Sequence, residues 1–189
     1  MPSTPGLLSA ARQMARRFSR NRRGSTAVEF ALVAPMFFLL LFAIMETALV
    51  FFAGQILEIS AQDSARLIFT NQAQGTLDAT AFQKNLCDRI VVLMSCGGLA
   101  IDVKVFPSFT TINASDLADP IDAGGNFVNN FAYPKPNPGD TVVVRAFYQW
   151  PLFVTQLGYN MANIARNSSS SKKLLTATIA FRVEPGAGS

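Results

Sequence analysis

The stretch of sequence that decides the fold runs from Arg22 to Ala53 and is RRGSTAVEFALVAPMFFLLLFAIMETALVFFA. It holds no charged residue from Phe30 to Met45, and the apolar run resumes after Glu46 and Thr47. A helix over residues 30–53 is about 36 Å long at ~1.5 Å per residue, and a hydrocarbon layer is roughly 30 Å thick. The sequence therefore predicts a membrane-spanning helix.

The positive charge of the chain lies ahead of this helix. Residues 1–24 hold six arginines and no acid, which leaves ten of the 16 basic residues for the rest of the chain, against 12 acidic residues. Basic residues that flank a membrane helix stay on the cytoplasmic side, so we expect a cytoplasmic N-terminus and an exported C-terminal region. The folded part shows no second basic patch, so we expect no nucleic-acid partner.

The composition disfavours an enzyme. The chain has no histidine, which excludes histidine-dependent triads and histidine-ligated metals, and two cysteines cannot form a cysteine-only zinc site. We find no glycine-rich phosphate loop and no nucleophile beside a base. We therefore expect no catalytic residue, no cofactor, no metal and no small-molecule substrate.

Cys87 and Cys96 are nine residues apart. If the C-terminal region is exported, they lie in a compartment where disulfides persist. Closing so short a loop would contribute about 2 to 3 kcal/mol by restricting the unfolded chain. The alternative is a pair of buried free thiols.

The start of the apolar run resembles a known processing motif. Gly24, followed by Ser25-Thr26-Ala27-Val28 and then Glu29-Phe30, resembles the cleavage motif of type IVb prepilins and pseudopilins, in which a membrane prepilin peptidase cuts after the glycine. The string RRGSTAVEFALVAPMFF, continued to SAQDSAR at Ser60–Arg66, resembles the TadE-like family of the Tad (tight adherence, Flp pilus) secretion system.

This resemblance implies a minor pilin or pseudopilin-like subunit, cut between Gly24 and Ser25. It would be a single-pass protein of the bacterial inner membrane with its domain in the periplasm. Its partners would be the prepilin peptidase, other pilin or pseudopilin subunits and the Tad platform. The alternative function is a periplasmic binding or adhesin module held by the same anchor.

The resemblance also gives Glu29 a role in assembly, with Phe30 beside it. In related pilins the fifth residue of the mature chain, here Glu29, meets the N-terminal amine of a neighbouring subunit. Cleavage would leave such an amine on Ser25, and two charges that are costly alone become tolerable as a pair. The alternative is an ordinary acid near a helix start, favoured by the helix dipole behind a Ser25 or Thr26 cap.

Two further residues of the apolar run leave alternatives open. Pro35 removes a backbone donor, so it predicts either a kink stabilised by neighbouring helices or a proline that is simply tolerated. Glu46 lies on a different face of the helix from Glu29. It either contacts a partner helix or reaches the outer interface of a tilted span.

Beyond the apolar run, the pattern predicts an α+β protein. The helix becomes amphipathic from Gly54 and continues to about Asn71, and a second helix covers Thr80–Ile90, where an apolar residue recurs every four positions. Apolar side chains alternate over residues 101–106, 142–149 and 175–183, which is typical of strands. We expect a small antiparallel three-stranded sheet after the long helix. The predicted segments are a basic cytoplasmic leader (1–24), the membrane helix with its amphipathic continuation (25–71) and an exported α+β domain (72–189).

The segments between the strands are less regular. Residues 107–140, rich in proline and glycine, form either a long ordered loop or a variable insert. Leu152–Ala165 is predicted to form a short helix. Eight aromatic residues either pack in the core or form a ligand-binding surface: Phe106, Phe109, Phe127, Phe131, Tyr133, Phe147, Tyr148 and Trp150.

Overall fold

The computed structural model describes residues 24–69, 79–154, 159–166, 168 and 170–183 of the 189-residue chain. The predicted leader up to residue 23, and the predicted domain boundary at residues 71 and 72, lie outside the described residues. The fold is α+β, as predicted. In chain order it has helices α1 (Ser25–Phe69) and α2 (Ala79–Ile90) and strands β1 (Leu99–Phe106), β2 (Thr141–Pro151) and β3 (Lys172–Arg182).

The chain divides into two compact units, Met1–Phe42 and Ala43–Ser189. The described part of the first unit is helical from Ser25 onward, and its side chains are almost all exposed. The second unit contains the part of α1 from Ala43 onward, the whole of α2 and the sheet. By length and composition, α1 is compatible with a membrane anchor.

The three strands form one antiparallel sheet in the order β1-β2-β3. Leu99 at the start of β1 pairs with Tyr148, and Phe106 at its end pairs with Thr141. On the other side of β2, Tyr148 pairs with Leu175. The second strand in chain order, β2, is therefore central, and its residues 141–148 are all buried.

Both helices cover one face of the sheet. The second-unit part of α1 buries a residue every three or four positions, at Val50, Ala53, Leu57 and Ala61, as expected for a helix with one packed face. The apolar residues that predicted α2 are also buried. The two core clusters on this face include Phe82, Leu86 and Ile90 of α2, Ala146 and Tyr148 of β2, and Leu175 and Ala177 of β3.

The opposite face is covered by residues 107–140, which form an ordered loop. Phe131 of this loop stacks on Phe147 of β2 with ring centroids 5.2 Å apart, and the ring of Phe127 lies 6.2 Å from that of Phe147. The backbone N–H of Val103 donates to the carbonyl of Ala132, so the loop also contacts the edge of β1. This covering explains why β2 is buried on both faces.

The short helix predicted over Leu152–Ala165 is wrong over residues 159–165, which are not helical. There Ile164 pairs with Lys172 at the start of β3, and the side chain of Asn163 accepts from the N–H of Leu174. Pairing with the sheet satisfies these backbone groups in place of a helix. Residues 155–158 of the predicted helix lie outside the described residues.

Candidate functional site

The predicted processing and assembly residues lie at the start of α1. The helix begins at Ser25, whose Oγ donates a hydrogen bond of 3.1 Å to Oε1 of Glu29. Residues four apart share one face of a helix, which brings these two side chains together. Ser25 therefore uses its hydroxyl as a donor to Glu29.

Gly24 and Phe30 flank this pair, and both are exposed. A Cβ atom built on Gly24 meets no atom within 4 Å among the residues that the structure describes. The described part of the chain therefore does not require a glycine here for packing.

Glu29 is exposed on a surface that is otherwise almost wholly apolar. Its neighbours Val28, Phe30 and Val33 are exposed too, and the helix continues through Pro35 without a break. Within the described ranges, the Glu29 carboxylate has one polar contact, the hydroxyl of Ser25. In an apolar medium such a carboxylate needs a partner from outside these residues.

Glu46, the second acid of the apolar run, has its partners inside the chain. Its side chain is buried, with 6% exposure. The backbone N–H groups of Phe153 and Val154 both donate to its carboxylate, and the Val154 nitrogen lies 3.1 Å from Oε1. Neither predicted role for Glu46 included this contact, which joins residues more than 100 positions apart. No local pattern in the sequence could have indicated it.

Thr47 makes a second contact between α1 and the same part of the chain. Its Oγ1 donates to the carbonyl of Ala43 at 2.8 Å and lies 3.1 Å from the hydroxyl of Tyr159. Glu46 and Thr47 together hold the segment that follows β2 against α1.

Cys87 and Cys96 form a disulfide, with their Cα atoms 5.4 Å apart. The disulfide links the last turn of α2 to the segment just before β1. The backbone N–H of Ser95 donates to the hydroxyl of Tyr148 at 3.2 Å. A Cβ atom on Gly98 would lie only 2.9 Å from the same ring, so the close approach of this loop to β2 favours glycine.

A buried ion pair lies on the loop-covered face of the sheet. Nε of Arg145 donates to Oδ2 of Asp102 at 3.1 Å, Nη1 donates to the carbonyl of Ala118 at 3.0 Å, and the guanidinium lies over the ring of Phe147. The sequence alone does not predict this pair. Both residues occupy polar positions in strands whose side chains alternate between apolar and polar. That they face each other depends on the strand register, which the local pattern does not give.

The covering loop also contains an exposed polar turn. The backbone N–H and the side-chain amide of Asn126 donate to the carboxylate of Asp122, and these bonds hold the pKa of Asp122 below its usual value. The turn contains Gly125, which has a φ of +77°. This arrangement has a local structural role.

Most of the eight aromatic residues, for which core packing and a ligand-binding surface were the two alternatives, are packed. Phe147 and Tyr148 are buried, Tyr133 packs on Phe82, and Trp150 packs on Tyr148. Of the eight aromatic residues, Phe109 is exposed. The structure therefore favours the core interpretation. In the described part of the chain, no three His, Cys, Asp or Glu residues cluster as metal ligands would.

These features define an α+β protein whose long N-terminal helix is compatible with a membrane anchor, with the exposed acid Glu29 and the internally paired acid Glu46 in its apolar part. Residues 24–66 match the family model described as TadE-like protein, which confirms the resemblance over that stretch. The match covers 43 of the 189 residues, so it makes this stretch similar to TadE-like proteins. Comparisons with curated proteins and with solved structures gave no significant match.

Proposed function

We propose that this chain is a membrane-anchored minor pilin or pseudopilin-like subunit for assembly of a Tad/Flp-type pilus, processed by a prepilin peptidase after Gly24. The observation that carries the proposal is the family match, which begins at Gly24 and extends through the apolar helix. The anchor lies in the bacterial inner membrane, with the arginine-rich leader in the cytoplasm and the α+β domain in the periplasm.

Gly24 supports the processing step because the described packing leaves its presence unexplained. A peptidase needs an extended, open bond, and a glycine lets the backbone approach closely. Cleavage between Gly24 and Ser25 removes all six leader arginines and creates an α-amino group on Ser25.

Glu29 supports the assembly step because it differs from Glu46. Both acids lie in the same apolar helix, but Glu46 is satisfied by two backbone N–H groups and Glu29 has the hydroxyl of Ser25. The new amine of a neighbouring subunit provides the positive charge that Glu29 lacks among the described residues. Loss of one partner of such a desolvated pair costs about 3 to 5 kcal/mol.

The processing step is tested by the mass of the membrane-extracted protein from cells that contain the peptidase. We expect the chain to begin at Ser25, and Gly24→Ala to retain residues 1–24. Gly54→Ala is the matched control, because a Cβ atom on Gly54 also meets nothing within 4 Å. A wild-type chain that still carries its leader would refute the processing step.

The assembly step is tested by Glu29→Ala, which we expect to be cleaved and inserted normally but to co-purify poorly with the other pilus subunits. Glu58→Ala is the control, since Glu58 is an exposed acid of the same helix outside the apolar run. If Glu29→Ala is incorporated into the pilus machinery to the same extent as Glu58→Ala, Glu29 is an ordinary helix acid.

A further inference from the structure

The apolar run ahead of Glu46 is too short to cross a bilayer. The charge-free residues Phe30–Met45 number 16, which gives about 24 Å of helix at ~1.5 Å per residue. A hydrocarbon layer needs about 20 residues, or roughly 30 Å. If α1 is the anchor, as the proposed function requires, lipid must also contact the helix beyond Met45.

The next turns of α1 have a surface that suits lipid. Leu49, Phe51 and Phe52 are exposed and apolar, whereas Glu46 points to the packed side of the helix. An ionised carboxylate facing lipid would be costly. Here the backbone N–H groups of Phe153 and Val154 satisfy it, and the surrounding chain shields it from solvent.

The same contacts place part of the folded domain at the level of Glu46. We name residues Leu152–Val154 together with Tyr159 the foot. Glu46 binds the backbone of the foot, and Thr47 lies 3.1 Å from the hydroxyl of Tyr159. The side chain of Phe153 is nevertheless 78% exposed. A phenylalanine whose backbone is fixed and whose ring is exposed is costly in water.

The composition of the foot also favours lipid over water. Residues 146–165, which include the foot, contain no charged side chain in 20 positions. Tyrosine and tryptophan are enriched where a membrane protein meets the interface between lipid and water, and the foot contains Tyr159.

We propose that the foot inserts into the interfacial layer of the outer leaflet, with Phe153 in contact with lipid. This inference rests on the membrane anchoring of the proposed function. The bilayer is the occupant because Glu46 and Thr47 bind the foot within two helical turns of the exposed apolar residues Leu49, Phe51 and Phe52, which complete the hydrophobic length of α1. The folded domain is then seated on the membrane by a second attachment besides its helix.

The test uses the full chain, reconstituted at high dilution in phosphatidylcholine vesicles, with an environment-sensitive NBD label on a cysteine at one position. The variants are Phe153→Cys in the foot, Phe38→Cys in the anchor and Phe109→Cys as the matched control. Phe109 is an exposed phenylalanine, 52% accessible, that follows β1. Phe109 and the foot lie near opposite ends of β2. The end of β1 pairs with Thr141 at the start of β2, and the foot follows Pro151 at its end, about 33 Å along the strand.

We expect the label at residue 153 to emit at shorter wavelength and to be quenched by lipids that carry a doxyl group near the headgroup. The label at residue 38 should be quenched most by a doxyl group deep in the acyl chain, and the label at residue 109 should be unaffected by either lipid. Quenching at residue 38 without quenching at residue 153 would overturn the inference and leave the anchor intact. A wavelength shift at residue 153 without lipid quenching would mean that a second copy covers the foot, which also overturns it. Absence of quenching at residue 38 would refute the anchor itself, and the inference with it.

Discussion

Replacing Arg145 with methionine should strongly destabilise the domain. The side chains of Arg145 and Asp102 are only 6% and 4% exposed, so the substitution leaves a buried carboxylate without its cation. Breaking a buried pair in this way costs about 3 to 5 kcal/mol. The carbonyl of Ala118 loses its guanidinium donor as well, which places the expected cost near the upper end of that range.

Removal of the other partner by Asp102→Ala should lower stability less than Arg145→Met does. Arg145 then still contacts the carbonyl of Ala118 and the ring of Phe147. The double variant Asp102→Ala/Arg145→Met removes both charges and should be more stable than Arg145→Met alone, since replacing a buried pair by apolar residues is often close to neutral. The pair therefore predicts a strongly non-additive double-mutant cycle.

The assay is thermal unfolding of the full chain in detergent, followed by the fluorescence of Trp150, the one tryptophan of the chain, which packs on Tyr148. A loss of 3 to 5 kcal/mol corresponds to a Tm lower by roughly 6 to 20 °C for a domain of this size. Arg89→Met is the control, because its ion pair with Asp63 is exposed and should contribute at most about 1 kcal/mol. If Arg145→Met unfolds at the same temperature as Arg89→Met, or if the two single effects simply add, the reasoning is wrong.

Three further predictions concern α1 and the disulfide. Glu46→Ala leaves the half-buried N–H of Phe153 and the buried N–H of Val154 without an acceptor, at about 1 to 3 kcal/mol for a fully buried donor, so amide exchange at these residues should accelerate, whereas Glu46→Gln should retain part of the protection. Leu57→Ala removes a fully buried side chain and should lower stability by about 2 to 5 kcal/mol in thermal unfolding, while exposed Ile59→Ala should leave the Tm nearly unchanged. Replacing both Cys87 and Cys96 with serine should cost about 2 to 3 kcal/mol, and a reductant should lower the Tm of the wild type but not that of the double variant.

The elements of this fold were predictable because each has a local periodic signal. The apolar run gave α1, the four-residue spacing of Phe82, Leu86 and Ile90 gave α2, and the alternation of apolar residues gave the three strands. The observed strand bounds differ from the predicted ones by one to three residues at most ends. Side chains that point to one face repeat with the period of their own element, so no knowledge of distant contacts was needed.

The contacts that distinguish this protein were not predictable in the same way. Glu46 appears in the sequence as an acid inside an apolar helix, and its partners are backbone N–H groups of residues 153 and 154, which leave no trace in side-chain chemistry. Asp102 and Arg145 occupy positions that alternation assigns to a polar, solvent-facing side, and only the loop over residues 107–140 buries them. The helix predicted over Leu152–Ala165 is wrong over residues 159–165 for a related reason, because Ile164 pairs with Lys172 and local propensity does not include such a distant partner.

The central position of β2 determines how the domain opens. Residues 141–148 are flanked by a strand on either side, and each face is covered, by the helices on one side and by the loop on the other. A solvent molecule can reach these amides only after a neighbouring strand separates, which removes most of the core at the same time. In deuterium labelling, β2 should therefore exchange last and at the rate of global unfolding, and the loop and the exposed turns should exchange well before it.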